Sequence, residues 1–344
     1  MLFGAGMLAT IARNYEDGDQ MLVGAIGCGN VGFNTLRAFN AKGHQVIGFD
    51  PSRDAHKRLA ATFGSSSAAE SLAQLRIAEA VFICVPTDPH PENGGADLRI
   101  FEEVINELSK VTRELDSCIR VVVQRSTCPP GTASKMSKQL ATEYSVNPSF
   151  LSKATQWEDS ITPPRIAFSG NATACRTLRE IYKDFDSPFF VSEAHKCIEM
   201  LKYIENTIDC ALISLWNEYL AYADRIGLPR TEFSAIMDAL GDRPRFSSVI
   251  RVPGGAFGKW CFPKDVAAAV NAMKEAATPS LILEATQARN QILLASAGDN
   301  PYSTSDLLEW RHDRLSLTPL ARELLAQPSA EEPHVDPSQS WREA

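Results

Sequence analysis

Short apolar runs and amphipathic stretches take turns along the first half of the chain. Met21–Ile26 is apolar and strand-like; Gly27-Cys-Gly-Asn-Val-Gly32 follows, and a helical periodicity then runs to about Ala41. Gln45–Phe49 predicts a second strand with Asp50 at its end. Ala80–Val85, Ile119–Gln124 and Arg165–Ser169 predict further strands, and Arg99–Leu115 a helix. Strands alternating with helices imply a parallel, doubly wound sheet with helices on both faces. After about Val191 the pattern changes. Glu193–Ile226 keeps helical periodicity without an internal Gly or Pro and stops at Gly227, a residue suited to a helix C-terminus. Thr231–Leu240, Asp265–Ala276 and Ser280–Ala297 predict three more helices, so the second half reads as all-helical.

Composition narrows the function classes. The chain has 344 residues, 44% of them hydrophobic, enough for a large core and two domains. A net charge of −8 without a long basic run argues against nucleic acid or an anionic membrane as the main partner. No apolar run reaches the roughly 18 residues that span a bilayer. The eight cysteines include no CxxC pair and sit in apolar runs, the pattern of reduced thiols in a cytoplasmic protein. The six histidines show no metal-ligand spacing, so no metal is expected.

The glycines after the first strand carry the first chemistry. Gly27, Gly29 and Gly32 form GxGxxG between a strand and a helix, and Asp50 follows 18 positions after the last of them. In that context the first glycine permits a tight turn, the second lets backbone approach a pyrophosphate, and the third lets helix and strand pack. Cys28, Asn30 and Val31 then present backbone N–H groups at the helix N-terminus. Asp50 accepts from ribose hydroxyls and repels a 2′-phosphate, which favours NAD over NADP. A glycine turn alone is also a common structural device; the strand, the helix and the acidic residue together make the case. The predicted organisation is an N-terminal extension (1–20), a Rossmann-type NAD-binding domain (21–190), a helical central, dimerisation and catalytic domain (191–298) and a polar tail (299–344), partly disordered.

The second chemical feature is Gly254-Gly-Ala-Phe-Gly-Lys-Trp-Cys-Phe-Pro-Lys-Asp265. Cys261 follows a glycine-rich turn, with Lys264 and Asp265 just beyond it. A thiol is a strong nucleophile as thiolate, and a nearby cation favours that form. On the long predicted helix, Lys202 and Asn206 stand at i and i+4 and share one face. By themselves those two are as readily solvent-facing polar residues.

With these pieces in place the chain resembles the UDP-glucose/GDP-mannose dehydrogenases. The matching segments occur in family order: Gly27–Gly32, Phe82-Ile-Cys-Val-Pro-Thr87, Ala96-Asp-Leu98, Arg125-Ser-Thr-Cys-Pro-Pro-Gly-Thr132, Asn147-Pro-Ser-Phe-Leu151, Glu199-Met-Leu-Lys-Tyr-Ile-Glu-Asn206, Asn217-Glu218, Arg245 and Phe257–Asp265. The resemblance implies oxidation of a sugar-nucleotide primary alcohol to a carboxylate with two NAD. It implies that Cys261 is the nucleophile, forming a thiohemiacetal and then a thioester, and that Lys202 and Asn206 stabilise the oxyanion. Asp265 and Thr127 correspond to residues handling the proton and water. Val85, Pro86, Thr87 and Ser126 correspond to residues along the cofactor, with Lys264 near the nicotinamide. Phe150, Leu151, Lys153, Phe257 and Gly258 correspond to substrate-side positions, and Arg245 to an arginine that reaches the substrate across a homodimer built on helix 193–226.

Two departures qualify that picture. Lys153 stands where the family carries a glutamate associated with thioester hydrolysis, and a protonated lysine is no general base. After Gly298 the chain is too short for a further nucleotide-binding domain, which needs on the order of 100 residues; another chain supplies that handle, or the substrate is a smaller sugar derivative. Three readings follow: a four-electron sugar dehydrogenase working through Cys261, a two-electron hydroxyacid or polyol dehydrogenase using Lys202 and Asn206, and a non-catalytic NAD-binding partner.

Overall fold

The computed structural model describes residues 20–92, 94–151, 155–241, 256–257, 262–275 and 280–296. Strand β1 (Leu22–Ile26) is buried along its whole length and leads through Gly27-Cys28-Gly29 into helix α1 (Asn30–Ala41). The chain continues through β2 (Gln45–Phe49), α2 (Arg53–Phe63), β3 (Ala80–Ile83), α3 (Arg99–Val111), β4 (Val121–Gln124) and α4 (Thr132–Met136). It then forms β5 (Glu143–Val146), α5 (Gln156–Ile161), β6 (Ile166–Ser169), α6 (Ala172–Ile181) and β7 (Phe189–Ser192).

Strands β1 to β5 make one parallel sheet in the order β2-β1-β3-β4-β5, and β6 pairs in parallel with β7. Alternate strand residues supply two separate cores. Val81, Ile83 and Val122 pack with Phe101, Ile105 and Leu108 of α3 and Met136 of α4. Ala80, Phe82, Val121 and Val123 pack with Leu36 and Phe39 of α1, Leu59 of α2 and Leu178 of α6. A sheet covered on both faces needs apolar residues at every strand position, which is why these strands read as unbroken apolar runs. Phe39 anchors the second core, with the rings of Phe82, Tyr182 and Phe185 at 5.1, 5.2 and 5.9 Å. Burying each such side chain contributes about 1.5–3 kcal/mol, well above a surface ion pair.

Helix α7 (His195–Arg225) begins against the sheet and runs out of it. Its first turn buries Ile198 in the sheet core, and further along Cys210 and Ile213 pack on Val266 of α9 (Phe262–Glu275), beyond α8 (Arg230–Gly241). Ala267, Ala268 and Ala269 are buried on α9, and such small side chains let the two helices approach closely. Leu220 and Ala223 pack on Phe233 and Met237 of α8, while Leu283 of α10 (Leu281–Ser296) closes the α7–α9 side. Gly227 ends α7 with φ +75°, its N–H donating to the Asp224 carbonyl and that of Leu228 to Ala223, a Schellman arrangement.

Some elements differ from the sequence expectation. The helix predicted over 99–115 stops at Val111, and Leu115 is fully exposed. The strand predicted over 80–85 ends at Ile83, short of Pro86, which has no N–H for a ladder. Strands β5 and β7 and helices α2, α4, α5 and α6 were not predicted. Strands β5 and β7 and helices α4 and α5 are short, and α2 buries one residue, Leu59; α6 does carry a helical spacing, with Ala174, Leu178 and Ile181 buried. Residues 1–19 and 297–344 lie outside the described residues, and with them the expected extension apart from Gln20 and the whole of the expected tail. No described helix is long and apolar enough to cross a membrane.

Candidate active site

The sheet order reverses between β1 and β3, and the loops at the carboxyl ends of β1, β3 and β4 meet there. Open α/β sheets bind ligands at such a point. Gly27 sits at φ +82°, and a side chain on it would strike the Cys84 carbonyl at 2.7 Å. Gly32 touches the same turn: a Cβ there would lie 2.0 Å from the Gly27 carbonyl oxygen. A Cβ at Gly29 would meet no described atom within 4 Å, so the turn is open where a phosphate would approach the α1 N-terminus. Asp50 braces the turn, accepting from the Cys28 N–H at 2.7 Å and from the Ser52 N–H at 2.8 Å. The Cys28 N–H is thus committed to Asp50, leaving Gly29, Asn30 and Val31 as the open part of the expected cradle. These residues fit a dinucleotide.

The neighbouring loops are tied to one another. Thr87 donates to the Thr127 carbonyl at 2.8 Å, and Ser126 to the Val85 carbonyl at 2.7 Å, fixing the β3 and β4 ends together. Pro86 is exposed beside them. One crevice is lined by Ser126, Thr127, Cys128 and Lys202, which brings the β4 loop against α7. Burial pushes the Cys28, Cys84 and Cys128 thiols upward, the Cys84 thiol to about 12, which marks them as packing residues.

Across the crevice, α7 and α9 join in a buried polar cluster. Asn206 donates to Asp265 Oδ2 at 2.5 Å, and Lys264 Nζ donates to Asp265 Oδ1 at 2.6 Å. Asn206 and Asp265 are 5% and 1% exposed. Both Asp265 oxygens are therefore occupied as acceptors, and the carboxylate orients the amide and the ammonium. Lys202 lies 5.1 Å over the Phe150 ring, whose environment also includes the Arg165 guanidinium at 4.8 Å. Leu151 lies beside Phe150, and the Phe257 carbonyl accepts from Asn290 of α10 at 2.9 Å. Cys261, Lys153, Arg245 and Gly258 lie outside the described residues.

Several residues at this site carried no signal strong enough to be singled out. Glu199 is buried and accepts from the Gly131 and Ala133 N–H groups at 2.6 and 2.8 Å and from Gln124 at 3.2 Å. Burial raises its pKa against those hydrogen bonds, and it clamps the 126–131 loop to the turn before Lys202. The Tyr203 hydroxyl is buried with no hydrogen-bond partner among the described residues. Arg58, stacked 4.2 Å over Phe33, donates to the Cys28 and Gly29 carbonyls. Glu199 and Tyr203 were legible only as members of a motif; Arg58 sits on the weakly patterned α2. Among the described residues no group of three His, Cys, Asp or Glu side chains could hold a metal.

A doubly wound sheet with a glycine-turn dinucleotide cradle, delivered against polar side chains of one long helix, defines a class: dinucleotide-dependent α/β proteins with a helical second layer. Residues 55–186 match the NAD binding domain, and residues 196–292 the central domain, of the UDP-glucose/GDP-mannose dehydrogenase family. The chain belongs to that family, and its cofactor is NAD. The UDP-glucose 6-dehydrogenase of Pseudomonas aeruginosa is 29% identical over 301 residues, 77% of this chain and 64% of that protein. The GDP-mannose 6-dehydrogenase of the same organism is 29% identical over 281 residues, 72% of this chain and 63% of that one. This chain thus spans about two thirds of the length of these relatives. The UDP-glucose dehydrogenase structure from the hyperthermophilic archaeon Pyrobaculum islandicum superposes with a TM-score of 0.72 at 27% identity, covering 80% of this chain and 69% of that one. A 3-hydroxyisobutyrate dehydrogenase from Mycobacterium tuberculosis shares the fold, with a TM-score of 0.64 at 16% identity over 85% of this chain and 99% of its own.

Proposed function

We propose that this chain is an NAD-dependent dehydrogenase that oxidises a primary alcohol on a sugar, sugar phosphate or nucleotide sugar to the carboxylate, with Cys261 as nucleophile. The observation that carries the reading is the Lys264–Asp265–Asn206 cluster. It ties the segment that follows Cys261 to the helix face carrying Lys202. In sequence Cys261 directly precedes α9, and a helix N-terminus with a nearby lysine favours the thiolate. NAD, when bound, supplies hydride acceptance. The Cys261 thiolate adds to the aldehyde carbon left by the first oxidation, and the thiohemiacetal oxygen accepts hydrogen bonds from Lys202 and Asn206. The second oxidation leaves a thioester, which water cleaves to the acid. Asp265 serves this scheme by holding Asn206 and Lys264 in place.

The two-electron reading is favoured by Lys153, a cation where the family has its glutamate. Stoichiometry separates the two. Purified protein with NAD and a panel of sugars, sugar phosphates and nucleotide sugars is expected to give two NADH per substrate, falling to one or none in Cys261→Ser. Mass spectrometry of the wild type is expected to show an adduct on Cys261. Normal acid production by the serine variant eliminates the covalent route; one NADH per substrate, indifferent to Cys261, establishes the two-electron reading instead.

The quaternary proposal is a homodimer through α7. Met200, Ile204, Ile208, Leu215 and Tyr219 are 45–55% exposed and form one stripe opposite the Lys202 face. A row of large apolar side chains left in water on one helix face marks an interaction surface. Ile204→Glu with Ile208→Glu is expected to halve the molecular mass in sedimentation equilibrium; an unchanged mass puts the interface elsewhere.

A further inference from the structure

Three consecutive peptide units form the cofactor turn, and each is held at one end. The unit between Gly27 and Cys28 is fixed through its N–H, which donates to Asp50 at 2.7 Å. The next two are fixed through their carbonyls, and one side chain reaches both. Arg58 of α2 donates from Nη2 to the Cys28 carbonyl and, at 3.3 Å, to the Gly29 carbonyl. The Gly29 carbonyl also takes the first helical N–H of α1, from Phe33 at 3.0 Å. A trans peptide unit is planar, so its C=O and N–H point in opposite directions. The unit with the Cys28 carbonyl carries the Gly29 N–H, and the unit with the Gly29 carbonyl carries the Asn30 N–H. Holding the two carbonyls therefore aims those two N–H groups away from Arg58, and neither donates to a described acceptor. The guanidinium is itself held. Its carbon lies 4.2 Å over the Phe33 ring, which packs on Phe63 with ring centroids 5.6 Å apart.

We propose that Arg58 is the positioning residue of the pyrophosphate cradle: through the Cys28 and Gly29 carbonyls it holds the Gly29 and Asn30 N–H groups toward the phosphates of NAD. The assignment rests on the NAD cofactor and not on the alcohol oxidation proposed above. Two further effects act in the same direction. A carbonyl bonded to a cation polarises its peptide unit and strengthens the N–H at the other end. The guanidinium also offsets the charge of Asp50, which is bound to the N–H of the same residue, Cys28, and which by itself repels phosphate. Arg58 is exposed, so its charge does this without being buried.

The test is calorimetric titration of the full chain with NAD and with ADP, which carries the pyrophosphate without the nicotinamide, beside thermal melts of the apo protein. Arg58→Ala is expected to weaken both ligands by about 10–100-fold, the range for hydrogen bonds to a charged group. The apo melting temperature is expected to move no more than for an ordinary surface substitution. Arg58→Lys keeps a charge and a donor but loses the planar fork, and is expected to regain part of the affinity. Phe33→Leu removes the ring beneath the guanidinium and is expected to weaken NAD by about 2–5-fold. Undiminished NAD affinity in Arg58→Ala overturns the assignment. So does a loss of affinity that comes with a lowered apo melting temperature and is not regained by lysine, since Arg58 then only supports the fold. Gly29→Ala tells this failure from that of the cradle: if it weakens NAD while Arg58→Ala does not, the cradle stands and the assignment alone falls.

Discussion

Replacing Asp265 with alanine is expected to abolish turnover and to destabilise the protein by about 3 kcal/mol, the lower end for breaking a buried ion pair. The side chain is 2% exposed and its partner Lys264 16%, so neither charge is well solvated. Removing the carboxylate leaves the ammonium with less compensation and deprives the Asn206 amide of the acceptor that orients it. Asp265→Asn separates the two effects. It keeps the shape, turns one oxygen into a donor facing a donor, and is expected to cost about 1–3 kcal/mol while turnover is still lost. Urea denaturation with kcat/KM on the same preparations decides the matter. Stability within about 0.5 kcal/mol of wild type in Asp265→Ala, the range of an ordinary surface substitution, contradicts the buried-cluster account.

The second large effect is expected at the glycine turn. A methyl group at Gly32 lies 2.0 Å from the Gly27 carbonyl oxygen, a backbone atom that cannot swing aside like a flexible side chain. The loop must move, at a cost at or above the upper end of ordinary overpacking, about 3 kcal/mol. If the turn yields while the rest stays folded, that cost falls on cofactor binding, about 100-fold in NAD affinity. Gly29→Ala is the contrasting case. Its Cβ meets no described protein atom within 4 Å, so the fold is expected to keep its stability while the methyl group occupies space needed by the phosphates. Calorimetric titration with NAD together with thermal melts reads both variants. Undiminished affinity in both rules out the turn as the cofactor cradle.

Much of this architecture was legible along the chain. The buried parallel strands β1, β3 and β4 left continuous apolar runs because helices cover both faces of the sheet. Helix α7 was legible end to end because no Gly or Pro interrupts it and Gly227 closes it. Strands β5 and β7 were not: β5 reads Glu-Tyr-Ser-Val, with polar residues at alternate positions, and β7 is not buried along its length, so neither leaves the continuous apolar run of a strand covered on both faces. The site was legible in part. Lys202 and Asn206 were visible as an i, i+4 pair, whereas the contact that orients Asn206 spans 59 positions to Asp265. The family resemblance implies that Asp265 handles the proton or water; in the structure its two oxygens accept from Asn206 and Lys264. Glu199 drew no notice as an individual residue, because what distinguishes it is burial and neighbours rather than residue type.

By itself, then, the order of residues determined the glycine turn, the strand–helix alternation, the long helix and the family segments, because each is written in local spacing, steric demand or chain periodicity. Tertiary structure alone decided which polar groups are engaged. It closed Asp265 between Asn206 and Lys264, spent Glu199 on the 126–131 loop, and left the Met200–Tyr219 stripe exposed among the described residues. Solvation and partnering are set by atoms brought together from far along the chain, and no local pattern encodes them.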